Sequence, residues 1–201
     1  MVQMTICKGT NADLHQLGRT ISRAFQDDPA LAWAVPDAQR FERFGPRYFE
    51  LLIEHTYLPK GEVCMTKDRA AGALWAPPGK WQSSVRGMLP LLPVMTRACQ
   101  THLPRALRMQ RLMETKHKQQ AESHYYLAYI GTDPASQGKG YGTALLHHML
   151  RRCDAERIPA YLEATSPRNQ ALYYRHGFEV IEELTWPGGG PPFWRMWRTP
   201  R

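Results

Sequence analysis

The stretch "SQGKGYGT", Ser136 to Thr143, constrains this chain more than any other, because it spaces Gly138, Gly140 and Gly142 at alternate positions between two contrasting segments. Ahead of it, "HYYLAYIGT" (124–132) is a β-rich run. Tyr126, Ala128 and Ile130 fall on one face of that run and Tyr125, Leu127 and Tyr129 on the other, so both faces expect cover and the strand is central. Behind it, "TALLHHMLRRCDAE" places Ala144, Leu145, Leu146, Met149, Leu150 and Cys153 at helical spacing, and "PAYLEAT" (159–165) makes another strand. Strand, glycine turn, helix and strand form a βαβ crossover. The two strands are then parallel, and the turn lies at a carboxyl end.

The remaining segments supply a mixed sheet and its cover. "QMTICKG" is a short strand candidate, and "NADLHQLGRTISRAF" is a helix with Asn11 at its N-cap and Leu14, Leu17, Ile21, Ala24 and Phe25 along one stripe. "DDPALAWAVPD" interrupts before a second helix over "AQRFERFGPRYFELLIEHTY". "GEVCMTKDRAAGALWAPPG" reads as a hairpin turning at Lys67 to Ala70 and closed by Pro77 and Pro78. From Trp81 to Gln120 the pattern is helical, cut by Pro90, Pro93 and Pro104, as an insertion ahead of the central strand. "PRNQALYYRHG" is a short helix ended by Gly177, "FEVIEEL" a strand, and "GGGPPFWRMW" a loop with a final strand. The expected fold class is α/β: one domain over residues 1–201, with a central mixed sheet flanked by helices, a helical insertion at 81–120 and a binding core at 124–185.

Composition and charge remove several function classes. A 43% apolar and 22% charged chain of 201 residues is ordinary for a soluble globular protein. The start has no basic segment followed by a long apolar run, and "MLPLLPVM" is too short and too broken by proline to span a bilayer, so no membrane role and a cytoplasmic location are expected. Net charge +8 favours polyanions. The aromatics do not interleave with the basic residues as a stacking surface, however, and nucleic acid is the weaker branch. Cys7, Cys64, Cys99 and Cys153 lie far apart without a CxxC pair and read as reduced, mostly buried thiols. His147 and His148 point about 100° apart on a helix and cannot chelate one ion, so they read as surface residues and no metal is expected.

The glycines have a physical reading of their own. Without Cβ they can take positive φ and let an anion approach backbone N–H groups, which here sit at a helix N-terminus where orphan donors favour negative charge. A nucleotide P-loop needs GxxxxGK followed by Ser or Thr, but Lys139 is followed by Gly140; a dinucleotide fingerprint needs GxGxxG, and this is GxGxG behind a glutamine. Both fail. A pyrophosphate fits, and a tight turn that holds nothing stays open.

"QGKGYG" resembles the Q/R-x-x-G-x-G/A signature of the GCN5-related N-acetyltransferase superfamily, and "YLAYIGTDP", "YLEAT" and "NQALYYRHGF" are similar to its neighbouring segments. The likeness covers Leu127 to Phe178 most strongly, and within the superfamily it is nearest to puromycin N-acetyltransferase-like members. It implies acetyl-coenzyme A as co-substrate, with the pyrophosphate on Gln137, Gly138, Lys139, Gly140, Tyr141, Gly142 and Thr143. It implies that Ile130, Gly131 and Thr132 splay from the neighbouring strand to pair with the pantetheine arm, the Ile130 amide polarising the thioester carbonyl. Asn169 is an expected contact to the arm, and Tyr173, four residues before Gly177, the expected general acid, with Tyr174 as its competitor.

Direct transfer to an amine also needs a proton acceptor. Glu163, an ionisable side chain between apolar Leu162 and Ala164, is the candidate, with Asp27 and Asp28 or a water as alternatives; a carboxylate paired with an arginine or a backbone amide is the bland reading of Glu163, and a helix-end charge on a solvated loop is the favoured one for at least one of Asp27 and Asp28. His124 and His176 either line the acceptor pocket or cap elements, the latter favoured, while Trp33, Trp75 and Trp81 wall that pocket or belong to the core. The last strand is a candidate for closing over the acceptor. The expected partner is a small-molecule amine, acetylated in a ternary complex. Transfer to a protein lysine or N-terminus, and a non-catalytic module binding coenzyme A or nucleic acid, are the alternatives. Oligomeric state stays open, a homodimer included.

Overall fold

A computed structural model describes residues 4–82 and 84–201, and a seven-stranded sheet runs through them. Its strands are β1 (Ile6–Lys8), β2 (Val63–Thr66), β3 (Ala71–Ala76), β4 (Tyr125–Thr132), β5 (Ala160–Ala164), β6 (Glu179–Thr185) and β7 (Pro192–Arg198). They lie in the order β1-β2-β3-β4-β5-β7-β6, every neighbouring pair antiparallel except β4 and β5. That one parallel pair is the crossover expected around the glycine turn. The helices are α1 (Leu14–Ala24), α2 (Pro29–Ala34), α3 (Ala38–Leu52), α4 (Val85–Met88), α5 (Leu92–Cys99), α6 (Leu103–Lys118), α7 (Tyr141–Glu156) and α8 (Pro167–Arg175). Gln3 of the first expected strand and Ser83 of the insertion lie outside the described residues. No described helix is long and apolar enough to cross a membrane.

Strand alternation divides the interior into two apolar layers. Along β5, Ala160, Leu162 and Ala164 face α7 and pack with Leu145, Leu146, Met149 and Cys153. Tyr161 faces the opposite layer, with α1, α3 and the insertion, among Ile21, Phe49, Met95 and Met109. Each fully buried leucine or isoleucine contributes about 1.5–3 kcal/mol of transfer free energy, so a one-residue slip of β5 would cost several such terms at once. Glu163, two residues beyond Tyr161, is therefore carried to the layer away from α7 by the same alternation that builds the core.

The structure departs from the sequence reading in four places. Ala128 is a β-bulge: Leu127 pairs with Trp75 and Tyr129 with Leu74, leaving the residue between them without a partner on β3. The bulge inverts the alternation, so Tyr129 packs in the layer of Tyr126, and Ile130 packs with Leu127 against α7 instead of sharing Tyr126's face. The first helical turn starts after Thr10 rather than Asn11, the Thr10 N–H and hydroxyl both donating to Asp13 at 3.0 and 2.7 Å. "DDPALAWAVPD" holds α2 rather than an irregular interruption, because Asp28 caps it and Pro29 fits its first position. The final strand does not close over a pocket; β7 lies inside the sheet between β5 and β6.

Two glycines bring α1 down onto the sheet. A Cβ at Gly131 would stand 2.7 Å from that of Ala24, and one at Gly72 would overlap Leu17. The close approach of α1 over β3 and β4 forms one side of the cleft described next.

Candidate active site

The cleft originates where β4 and β5 part. Their pairing runs through Tyr125–Ala160, Tyr126–Tyr161 and Leu127–Leu162, and among the described residues it stops there. From Ala128 to Thr132 β4 has β3 on one side only, which leaves an edge of backbone donors and acceptors facing the gap. The bulge at Ala128 sits at the start of this divergence, where an extra residue turns the strand away. Ala128, Tyr129 and Ile130 line the resulting cavity, whereas Gly131 is packed beneath α1.

Beyond β4 the chain makes the glycine turn and enters α7. Asp133 accepts from the Ala135 amide at 3.0 Å and pairs with Arg23 at 3.2 Å, which fixes the entry to the turn. Gly138 and Gly140 adopt φ of 78° and 86°, a left-handed conformation that side chains rarely take, and a Cβ on either would meet only open space. Gly142 does not need its freedom. It sits in the first turn of α7, where a Cβ would touch Leu172 at 3.7 Å. Among the described residues the amides of Gly138 to Thr143 donate to no backbone or side-chain oxygen. They form an exposed cradle of donors at the head of a 16-residue helix. The Tyr141 hydroxyl donates to Asp68 at 2.7 Å and Lys139 donates to the Ala135 carbonyl at 3.1 Å, while Gln137 bridges the Thr132 carbonyl and Arg168. Tyr141 is thus left with its backbone amide for a ligand, and Lys139 and Arg168 add positive charge beside the cradle.

A cavity of about 450 Å³ lies on the side of the sheet away from α7. β4, β5, α2, α3, the insertion and α8 enclose it, and Glu163, Asn169 and Tyr173 line it together with Ala128 to Ile130. Glu163 stands among Tyr57, Tyr126 and Tyr161, and its Oε1 is buried without a hydrogen-bond partner. Burial raises its carboxyl from 4.5 to about 7, the Tyr161 and Tyr126 hydroxyls and the Arg195 guanidinium opposing the rise. Arg195 does not pair with Glu163. It donates to the Tyr161 hydroxyl at 2.9 Å, the Lys116 carbonyl at 2.8 Å and Glu182 at 2.5 Å, so the arginine form of the bland reading fails, while the Glu163 backbone amide helps to oppose the rise of its own carboxyl.

Geometry separates the other candidates. Asp28 is buried on the cavity wall, but one oxygen accepts from the Ala30 and Leu31 amides at 3.0 Å each, and the other accepts from the Thr165 hydroxyl, so it is a helix cap bound to β5's end. Asp27 is exposed and lies off the cavity. Tyr173 is 6% exposed and lines the cavity against Phe178; Tyr174 is 49% exposed and faces away. Burial, with Asp28 adding, pushes the Tyr173 hydroxyl far above the ordinary tyrosine value and keeps it protonated. Asn169 follows the Ser166 cap of α8, its amide donating to Ser166 Oγ at 3.3 Å.

Histidines and tryptophans sort less predictably. His147 and His148 are exposed, and His176 closes α8 by bonding the Leu172 carbonyl at 2.8 Å. His124 caps nothing. It is buried against His117 of α6, a residue for which the sequence offered no signal beyond a histidine in a basic helix end, with Nε2 to Nε2 at 2.7 Å. Trp75 is core under α7, whereas Trp81 lines the cavity and stacks on His117 with ring centres 4.0 Å apart. Trp33 lies under the Arg105 guanidinium at 4.1 Å. Trp186, at the end of β6, lines the cavity instead of the final strand. Cys64, Cys99 and Cys153 are buried and Cys7 partly so, all unpaired.

Comparison with known proteins bears on the fold that carries this cavity. A family model described as the acetyltransferase (GNAT) family matches residues 59–178. An uncharacterised N-acetyltransferase of Schizosaccharomyces pombe is 29% identical over 187 residues, covering 86% of this chain and 73% of its own. A solved structure described as histone acetyltransferase HPA2 and related acetyltransferase, from Corynebacterium glutamicum, superposes with a TM-score of 0.74 at 26% identity, covering 100% of this chain and 98% of that one. Arylalkylamine N-acetyltransferase 2 from Aedes aegypti shares the fold, with a TM-score of 0.65 at 14% identity and 98% and 99% coverage.

Proposed function

The chain belongs to the acetyltransferase (GNAT) family, and we propose that it moves the acetyl group of acetyl-coenzyme A to the primary amine of a small molecule by direct attack in a ternary complex. The observation that carries this reading is the meeting, in one cavity, of a buried carboxyl raised to about 7 with one oxygen unpartnered and a buried tyrosine, Glu163 and Tyr173, beside the strand segment that has lost its partner. The exposed donor cradle at Gly138 to Thr143 and its flanking cations fit a pyrophosphate, and the unpaired edge of β4 fits an amide-bearing arm. Acetyl-coenzyme A would supply an activated thioester there.

This chain's residues then have distinct tasks. Glu163 takes a proton from the incoming ammonium, which its near-neutral titration suits. The Ile130 amide, on the side of β4 that has no partner strand, donates to the developing oxyanion in this reading, and a preorganised donor of this kind is worth about 10²–10³ in rate. Tyr173 holds the proton that the departing thiolate needs. Burial pushes the thiol of Cys99, a cysteine on the cavity wall, above its ordinary value and disfavours the thiolate, which argues against a covalent acetyl-enzyme. A small acceptor is favoured over a protein chain because the cavity is walled by the insertion rather than open as a groove. Thiol release from acetyl-coenzyme A across a panel of small amines and a lysine peptide tests the reading. Turnover with small amines that is lost in Glu163→Gln is expected; release with the peptide alone overturns it.

A further inference from the structure

Resting on the reading above, we propose that the acceptor is a primary amine on an apolar body that also carries a hydrogen-bond donor, a hydroxyl or N–H, which His117 reads. The donor requirement follows from a chain of fixed protons. The Glu122 carbonyl can only accept, so the 2.6 Å contact from His124 Nδ1 puts a proton on that nitrogen. His124 Nε2 then offers a lone pair, and His117 Nε2–H donates to it across 2.7 Å. His117 Nδ1 is left as an acceptor. Among the described residues it has no partner, although the ring is 3% exposed, stacked on Trp81 and set edge-on to Tyr126 at the cavity wall. Burial, aided by His124 and Arg195, holds His117 down at about 3, and burial lowers His124 too, so both rings are neutral at physiological pH and the proton order stands.

The apolar body follows from what the insertion contributes. Met88, Met95, Met109 and Met113 wall the cavity, and unbranched thioethers adapt to irregular and aromatic shapes.

The test compares kcat/KM by thiol release for pairs of arylalkylamines that differ only by a ring hydroxyl, such as tyramine and 2-phenylethylamine, with agmatine as the dication. The hydroxylated member is expected to lead by about tenfold and agmatine to trail both. In His117→Phe the ratio within the pair should fall toward one, and His124→Phe, which frees the His117 tautomer, should shrink it part of the way. A wild-type ratio near one overturns the proposal even where a variant does not fold, and so does an unchanged ratio in a folded His117→Phe or a preference for agmatine. Those results leave acetylation of amines standing. Thiol release with no amine of any class removes both.

Discussion

The two ends of the cleft are built in opposite ways. At the glycine turn the candidate donors are backbone amides, exposed, and placed by local conformation alone: two left-handed glycines and the start of one helix. At Glu163 the candidate base is a buried side chain, and its environment is assembled from Tyr57, Tyr126, Tyr161 and the insertion, segments far apart in the chain. The first kind of site survives changes in distant packing and fails when a backbone angle is forbidden. The second tolerates local backbone change and fails when its low-dielectric surroundings are lost.

Substitutions should separate the two ends, and the largest effect belongs to Glu163. Glu163→Gln should lower kcat/KM by about 10²–10⁴ while acetyl-coenzyme A still raises the melting temperature. Loss of both together would erase the contrast. Tyr173→Phe should lower kcat by about 10² with little change in the coenzyme KM, and Tyr174→Phe, at the surface, should stay within about twofold. Gly140→Val forces a β-branched residue to φ 86° at a cost of about 1–3 kcal/mol, so coenzyme affinity should fall by about 10–100-fold in calorimetry. The fold should hold, since nothing lies within 4 Å of that Cβ.

Proton linkage gives a smaller and sharper distinction. Burial raises the Glu163 carboxyl, so below about 7 it is protonated and cannot accept the amine's proton; as pH rises through about 7 it ionises and activity appears. The kcat/KM profile should therefore climb about tenfold per unit below that point, and the limb should flatten in Glu163→Gln. The least effect is structural. Gly131→Ala drives a methyl to 2.7 Å from Ala24, an overpacking cost of about 1–3 kcal/mol, which for a chain of this size lowers the melting temperature by roughly 2–4 °C per kcal/mol.

Much of the glycine-turn end was legible in the residues. The crossover, the parallel pair, the hairpin at Lys67–Ala70 and the amphipathic face of α7 follow from periodicities that act over a few residues, and the structure places them as read. The face of Ile130 was misread, because a bulge obeys the register of a partner strand and leaves no mark in the alternation itself. Asp28 was half misread as well: its capping follows from sequence, its burial against Thr165 does not.

By itself the sequence determined the parallel crossover, the hairpin and the glycine spacing of the turn, since each depends on covalent spacing or on a residue's own conformational limits, and it offered Glu163 and Tyr173 as candidates. Only the tertiary structure decided that Glu163 lies in the cavity with one oxygen unpartnered and its carboxyl raised to about 7, that Tyr173 rather than Tyr174 faces the cavity, and that His117 and His124 meet Nε2 to Nε2. Those properties are set by desolvation and by contacts between segments up to about a hundred residues apart, and a linear sequence carries neither distance nor dielectric.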